Sequence, residues 1–284
     1  MKLLSFQLAL LSLLILNGCN SDGASSNGDR INLSPDVRPI SDDNWYRPSI
    51  YVTWQWQLEG DINTSYDVDI YDIDLFNTQL STIQELQSTG KKVICYFSAG
   101  SYEKFRSDKN KFLPEVLGKE LDGWDNELWL DIRTTNVQSI MLDRLELAKQ
   151  KGCDGVEPDN MDGYVNDSGF SLTTSDQLHY NRFIANEAHK RGLSVGLKND
   201  LDQINELVEY FDFAVNEQCF EFGECNTLLP FIKKGKPVLS AEYQKRYLED
   251  ITERNMLCNE SIKLQFSTLI LPLDLNDVFR FSCL

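Results

Sequence analysis

Two hydrophobic periods take turns along this chain from Tyr46 onward. Short runs rich in β-branched and aromatic residues give way to stretches whose apolar positions recur every three or four residues, and then to another short run. The runs lie at 51–58 (YVTWQWQL), 67–75 (DVDIYDIDL), 91–97 (KKVICYF), 128–132 (LWLDI), 155–159 (GVEPD), 194–200 (SVGLKND), 211–218 (FDFAVNEQ), 236–243 (KPVLSAEY) and 261–269 (SIKLQFSTL), and each is expected to be a strand. Helices are expected between most of them. Residues 136–150 place Val137, Ile140, Met141, Leu145 and Ala148 at helical spacing, with Gly152 as the stop. Residues 175–191 start at a capping Ser175, end at Gly192 and turn Tyr180, Phe183, Ile184 and Ala188 inward.

Strands alternating with helices predict parallel βαβ units. Eight or nine units in roughly 240 residues fit a closed (β/α)8 TIM-like barrel better than an open sheet. Nine runs leave one extra strand, which is outside the barrel, additional within it, or misassigned. The 59–66 connection is too short for a helix. The 98–127 connection is long, carries Tyr102, Phe105, Phe112 and Trp124, and is expected to form a wall over the barrel mouth.

The first 44 residues break this texture. MKLLSFQLALLSLLILNGCN has one Lys and an apolar run from Leu3 to Leu16, too short to span a bilayer comfortably, and reads as a signal peptide over 1–18. The LNGC ending resembles a bacterial lipobox, which makes Cys19 the expected lipidation site and the lipid the link to a membrane. Asn20, not Asp, follows it, which by resemblance to Gram-negative lipoproteins leans to the outer membrane. Residues 19–44 are then a tether rich in Ser, Asp, Asn and Gly, and 45–284 the barrel domain, expected to be monomeric.

Composition narrows the partners. The net charge of −17 argues against nucleic acid, whose phosphates need Lys and Arg. It fits a neutral or cationic ligand, since a cleft of one sign concentrates the other; alternatively it only keeps an exported protein soluble. Six Cys remain after Cys19. In an exported protein an even number points to disulfides, with Cys219–Cys225 and Cys258–Cys283 the expected pairs. Cys95, in an apolar strand, is either a further half-cystine or a buried thiol. No Cys or His spacing marks structural zinc.

Candidate chemistry lies where the runs end. In a barrel the active site forms at the C-terminal ends of the strands. Those ends carry Asp72 and Asp74, Asp131, Glu157 and Asp159, Asp200, Glu217, and Glu242. A ring of carboxylates serves either glycosidic bond cleavage by an acid and a nucleophile or base, or divalent metal binding. Metal hydrolases usually add His, and His179 and His189 are ten residues apart on one expected helix, so neither metal nor cofactor is assigned. Trp54 and Trp56, with Gln55 and Gln57, suit a sugar site, where rings stack on aromatic faces and amides read hydroxyls. Alternation sends one half of such a run into the core. Ser98, Ala99 and Gly100 permit close approach of a ligand. Lys198, at a strand end among carboxylates, is expected to pair with one of them, either tuning its pKa or only holding the structure.

Together VICYFSAGSYE, GCDGVEPDNMDGY, GLKND, FDFAVNEQCFEFGEC and AEY resemble glycoside hydrolase family 114, the endo-α-1,4-polygalactosaminidases, over roughly residues 45–245. The resemblance implies a TIM-like barrel acting on galactosamine polymers of microbial exopolysaccharide and biofilm matrix. It implies Asp159 and Glu217 as the catalytic carboxylates, here assigned as nucleophile or base and general acid, a pairing that also allows the reverse. Trp54, Trp56, Asp72, Tyr96, Ser98, Asp131, Glu157, Asn160, Lys198, Asp200, Glu242 and Tyr243 are the expected substrate-binding set. Non-acetylated galactosamine is cationic, which suits an acidic cleft. A non-catalytic carbohydrate-binding lipoprotein, a metal-dependent polysaccharide deacetylase and a structural lipoprotein are the alternatives.

Overall fold

The computed structural model describes residues 37–42 and 44–284; the signal peptide and Cys19 lie outside the described residues, as does most of the tether. The main sheet begins with β1 (Trp54–Gln57), β2 (Ile70–Asp74) and β3 (Lys92–Ser98), with helix α1 (Leu80–Ser88) between the last two. The chain then leaves for a separate three-stranded sheet of β4 (Ser101–Glu103), β5 (Leu117–Glu120) and β6 (Glu127–Leu130). It returns through α2 (Thr135–Lys151) to β7 (Gly155–Asp159), α3 (Thr174–Lys190) and β8 (Ser194–Lys198). After α4 (Ile204–Leu207) come β9 (Phe213–Glu217), α5 (Cys219–Phe222), α6 (Leu229–Lys233), β10 (Val238–Glu242), α7 (Lys245–Glu249), α8 (Ile251–Leu264), β11 (Ser267–Ile270) and β12 (Phe281–Ser282). The order β1-β2-β3-β7-β8-β9-β10-β11-β12 is parallel except for the final antiparallel pair. Eight parallel strands make the (β/α)8 TIM-like barrel.

Side-chain parity builds two apolar layers. Trp54, Trp56, Ile70, Ile94, Phe213, Val215 and Leu239 fill the interior, while Tyr71, Ile73, Val93, Val156, Val195 and Leu197 pack outward under the helices. Gly196 makes room inside: a Cβ there would stand 2.4 Å from the Phe213 ring. The seam between β1 and β11 has no backbone ladder among the described residues. Trp54 Nε1 instead donates to the Ser267 carbonyl at 2.8 Å, and Arg280 Nη2 to the Trp54 carbonyl at 2.7 Å.

Two expected strands turn out differently. LWLDI is not a barrel strand: β6 pairs antiparallel with β4 and β5 in the separate sheet. No helix intervenes between β3 and β4, and a parallel return requires a crossover. This sheet is the expected wall, and it is pinned by buried cations. Arg106 bonds Asp74 and Glu103, each at 2.6 Å, and Arg144 grips Asp108 at 2.9 Å and the Ser98 carbonyl at 2.6 Å. Residues 261–264 belong to α8, not to a strand; Leu257, Cys258 and Ser261 are buried at helical spacing, and Gln265 ends the helix at φ 63°. Helix α3 is capped two residues before the expected Ser175, at Thr173, where a capping box with Asp176 satisfies its first turn.

Three disulfides tie the barrel: the two expected pairs, plus Cys95 with Cys153. The last stretch of the expected tether is docked on the barrel. Tyr210 Oη donates to the Val37 carbonyl at 2.6 Å, and Asn186 Oδ1 accepts from the Ile40 amide at 3.0 Å. Buried His189 stays structural, bonded to Asp212 at 2.9 Å and stacked on Trp45.

Gly100 crosses the loop after β7 so closely that a Cβ would lie 1.8 Å from the Asn160 carbonyl oxygen. Because that neighbour is backbone, Gly100→Ala is expected to destabilise the protein by about 2 kcal/mol or more. Urea unfolding checks this; an unchanged midpoint would show the crossing to be loose.

Candidate active site

A cleft of about 580 Å3 opens between the strand ends and the small sheet. Trp56, Tyr96, Asp159, Asn160, Lys198 and Glu217 line it from the barrel, Glu127 and Trp129 from β6, Trp124 from the wall, and Leu273 and Leu275 from the C-terminal tail. Three strand exits use left-handed backbone: Asn160 (φ 59°), Asn199 (φ 48°) and Gln218 (φ 64°) follow β7, β8 and β9. Asn tolerates this region better than most residues, and the turns aim side-chain amides across the mouth. Asn199 Oδ1 accepts from the Glu217 amide at 3.0 Å, and its Nδ2 donates to Glu217 Oε2 at 3.3 Å.

Lys198 is the hub. Its Nζ lies 3.1 Å from Asp159, 3.3 Å from Glu157 and 3.4 Å from Glu217. The aromatic faces of Trp56 and Tyr96 flank it at 4.9 and 5.9 Å. Burial by itself would push the ammonium down, but the charges of Asp159, Glu217 and Glu157 outweigh it and hold it well above the ordinary lysine range.

Asp159 is fixed by three donors. Oδ2 accepts from Tyr96 Oη at 2.9 Å, and Oδ1 accepts from Lys198 Nζ and from the Asn160 amide at 2.7 Å. Glu217 Oε1 accepts from Tyr243 Oη at 2.6 Å. Beneath them Glu157 and Asp72 are fully buried side by side. Burial pushes Glu157 up to about 7, against the pull of Lys198. Burial and then the Glu157 charge hold Asp72 well above the usual carboxylate range.

A polar relay backs Asn160. Its Nδ2 donates to Ser98 Oγ at 2.9 Å; Ser98 Oγ is 2.7 Å from Ser101 Oγ, which donates to Glu127 Oε2 at 2.7 Å. Burial lifts Glu127 to about 7, opposed by the Ser101 bond.

The structure therefore brings together Trp56, Tyr96, Asp159, Asn160, Lys198 and Glu217, with Tyr243, Ser98, Glu157 and Asp72 directly behind. It does not bring Trp54, Asp131 or Glu242 to the cleft. Trp54 lies one layer deeper, at the seam. Asp131 is held in a two-pronged ion pair by Arg133, with bonds of 2.7 and 2.8 Å. Glu242 has the outward parity of β10 and accepts from the Phe220 amide at 2.8 Å, which fastens α5. Asp200 sits in an adjoining hollow. Gln55 and Gln57 point away from the mouth, to Asp277 and to the loop carbonyls of Glu59 and Asp61. Sequence reasoning missed Glu127, Asp162, Asn199, Gln218 and the tail leucines as cleft residues. Asn199 and Gln218 each follow a strand-end candidate directly, a signal that was available. Glu127 and the tail offer none, since only long-range packing puts them there. Among the described residues no three His, Cys, Asp or Glu side chains are disposed to share a metal ion.

The sequence profile of Glycoside-hydrolase family GH114 matches residues 35–283. The chain is similar to Aspergillus fumigatus Ega3, whose structure is a complex with galactosamine: identity is 43%, TM-score 0.82, and the match covers 87% of this chain and 100% of that one. It shares its fold with the glycoside hydrolase domain of PelA from Pseudomonas aeruginosa, at 12% identity and TM-score 0.65, over 81% of this chain and 98% of that one. No curated protein matches.

The buried acids set a pH dependence of stability. Burial first, then neighbouring charge, holds Glu127, Glu157 and Glu242 at about 7, Asp162 at about 6 and Asp200 at about 8. In the unfolded chain they titrate near ~4, so the folded state binds these protons more tightly. Their contribution is fully present below the unfolded values and is lost as pH rises through 6 to 8. The melting temperature at pH 5 is expected to exceed that at pH 8 by roughly 5 °C or more. Calorimetry with an equal or lower value at pH 5 would contradict this.

Proposed function

The chain belongs to Glycoside-hydrolase family GH114 and is a glycoside hydrolase, and from that premise we propose that it cleaves α-1,4-linked galactosamine-containing exopolysaccharide, acting within the chain, with Asp159 and Glu217 as its catalytic pair. The observation that carries the assignment is the shared ammonium: Lys198 holds both carboxylates at the cleft floor, at 3.1 and 3.4 Å. The galactosamine bound to Ega3 supports the substrate class.

Asp159 acts as the nucleophile. Three donors fix the direction of both its oxygens. It attacks the anomeric carbon as the glycosidic C–O bond breaks, and Glu217 gives its proton to the leaving oxygen. Water then hydrolyses the glycosyl ester, with Glu217 taking back the proton. Glu217 is the more exposed of the two, with 25% against 18% of its side chain accessible, as proton exchange requires. Glu157, buried below the cleft 3.3 Å from Lys198 Nζ, helps to hold that ammonium between the pair. Both carboxylates touch one Nζ, at 3.1 and 3.4 Å, so their nearer oxygens are at most about 6.5 Å apart, which supports the shorter separation of a retaining pair.

The acidic cleft suits a cationic polymer. With Asp162, Glu120, Asp122 and Asp167 on its walls, it concentrates galactosamine units that carry free ammonium groups. The three disulfides support an oxidising, exported setting. We extend the proposal to a signal peptide over 1–18 and a lipid on Cys19 that anchors the barrel at the bacterial surface.

Asp159→Asn and Glu217→Gln are each expected to lower kcat/KM on α-1,4-galactosamine oligomers by about 10³-fold or more, with unchanged circular dichroism. Turnover near wild type in either would remove that residue from catalysis. Proton NMR at early times should show the α-anomer as first product; a β-anomer would mean inversion. Cys19→Ser is expected to move the full-length protein from the membrane to the soluble fraction, and unchanged membrane association would reject the anchor.

A further inference from the structure

The tail from Pro272 to Arg280 crosses the seam where β1 and β11 share no backbone ladder among the described residues. Asp277 fastens it. Its Oδ1 accepts from Gln55 Nε2 at 3.0 Å and from Tyr66 Oη at 2.8 Å, and its Oδ2 accepts from Asn63 Nδ2 at 2.8 Å. Those donors stand on β1 and on the 59–66 connection, so one carboxylate ties the tail to both. Arg280 Nη2 donates to the Trp54 carbonyl at 2.7 Å, and its guanidinium lies 4.6 Å from the centre of the Tyr66 ring. The Leu58 amide donates to the Leu275 carbonyl at 3.0 Å. Past Arg280, β12 pairs with β11, and Cys283 is bonded to Cys258 of α8. Between these fastenings Leu275 and Asp277 both take left-handed backbone, at φ 48° and 62°. A leucine rarely adopts that region and keeps it only where its surroundings hold it there.

We propose that residues 272–280 are a strap that closes the barrel seam and sets one end of the cleft, with Asp277 as its positioning residue; the proposal rests on the galactosaminidase reading above. What the strap brings to the cleft is an apolar corner. Leu273 and Leu275 line it beside Trp56 and Leu58. Leu275 is buried and wedges the strap in place, while Leu273 is 53% exposed and free to meet a ligand. In the strand order β1 stands four places from β8 in either direction round the barrel, so the corner lies across the mouth from the adjoining hollow. Acids and amides take the hydroxyls and amines of a sugar; a leucine takes the C–H face of its ring. Burial of such a face is non-directional and scales with area. It holds the polymer equally before and during bond cleavage, so its loss falls on KM and not on kcat. Among the described residues that line the cleft Asp277 is not one, and it acts through the leucines that it holds.

The test is steady-state kinetics of the full chain on α-1,4-galactosamine oligomers. Asp277→Ala is expected to raise KM about tenfold and to leave kcat within about twofold, since Asp159, Glu217 and Lys198 keep their places. Leu273→Ala, a truncation of an exposed side chain, should raise KM about fivefold. In the double variant the two effects should overlap, with KM no more than about twofold above that of Asp277→Ala, because a loosened strap no longer presents Leu273. Tyr66→Phe removes one of the three donors and takes the place of Asp277→Ala if that variant does not fold; its KM is expected to rise about threefold. An unchanged KM in Leu273→Ala, or effects that multiply in full in the double variant, would overturn the proposal. So would a fall in kcat at unchanged KM in Asp277→Ala, or an unchanged KM in Tyr66→Phe. Failure of the wild type to cleave any oligomer would instead remove the reading on which the proposal rests.

Discussion

One buried ammonium sets the terms for everything at the barrel mouth. Lys198 rises from the interior face of β8 into contact with Glu157, Asp159 and Glu217, carried on β7 and β9 to either side. A lone charge in that position would be too costly to bury, and so would the carboxylates without it. The balance remains unequal, with one cation against three acids, and Asp72 lies just beneath. Burial and the Glu157 charge hold the Asp72 carboxyl well above the usual carboxylate range. What remains is a rigid, net negative floor, which suits a reaction whose transition state gains positive charge on the sugar ring.

Parity decides what each strand-end acid does. Glu157, Asp159 and Glu217 point inward and reach the lysine. Glu242 has the opposite parity and fastens α5. Asp74 shares the inward parity of Asp72 but stands a layer higher, where Arg106 takes it to anchor the small sheet. The same chemical type therefore lines the cleft on some strands and fastens the structure on others. The two uses depend on each other, because the sheet held by Asp74 and Glu103 brings Glu127, Trp124 and Trp129 over the cleft.

Glu217 stands where the cleft meets the adjoining hollow and lines both. Left-handed residues at three strand exits hold this junction, at a local cost in backbone strain that the surrounding hydrogen bonds offset. The arrangement gives the acidic composition a place: carboxylates are spread along both the cleft and the adjoining hollow.

By itself the sequence determined the alternation of strand and helix, hence the barrel, because periods of two and of three to four are local properties of a chain. It also marked the acid-rich strand ends, the pairing of Lys198 with carboxylates, and two of the three disulfides. Tertiary structure decided the rest. LWLDI reads as a strand in any setting, and only its partners show that it belongs to the wall. Trp54 and Trp56 share one face, so spacing could not say which lies at the mouth; depth in the barrel separates them. Glu127 and Leu275 reach the cleft across long stretches of chain. Such features depend on distances between segments remote in sequence, which no local pattern encodes.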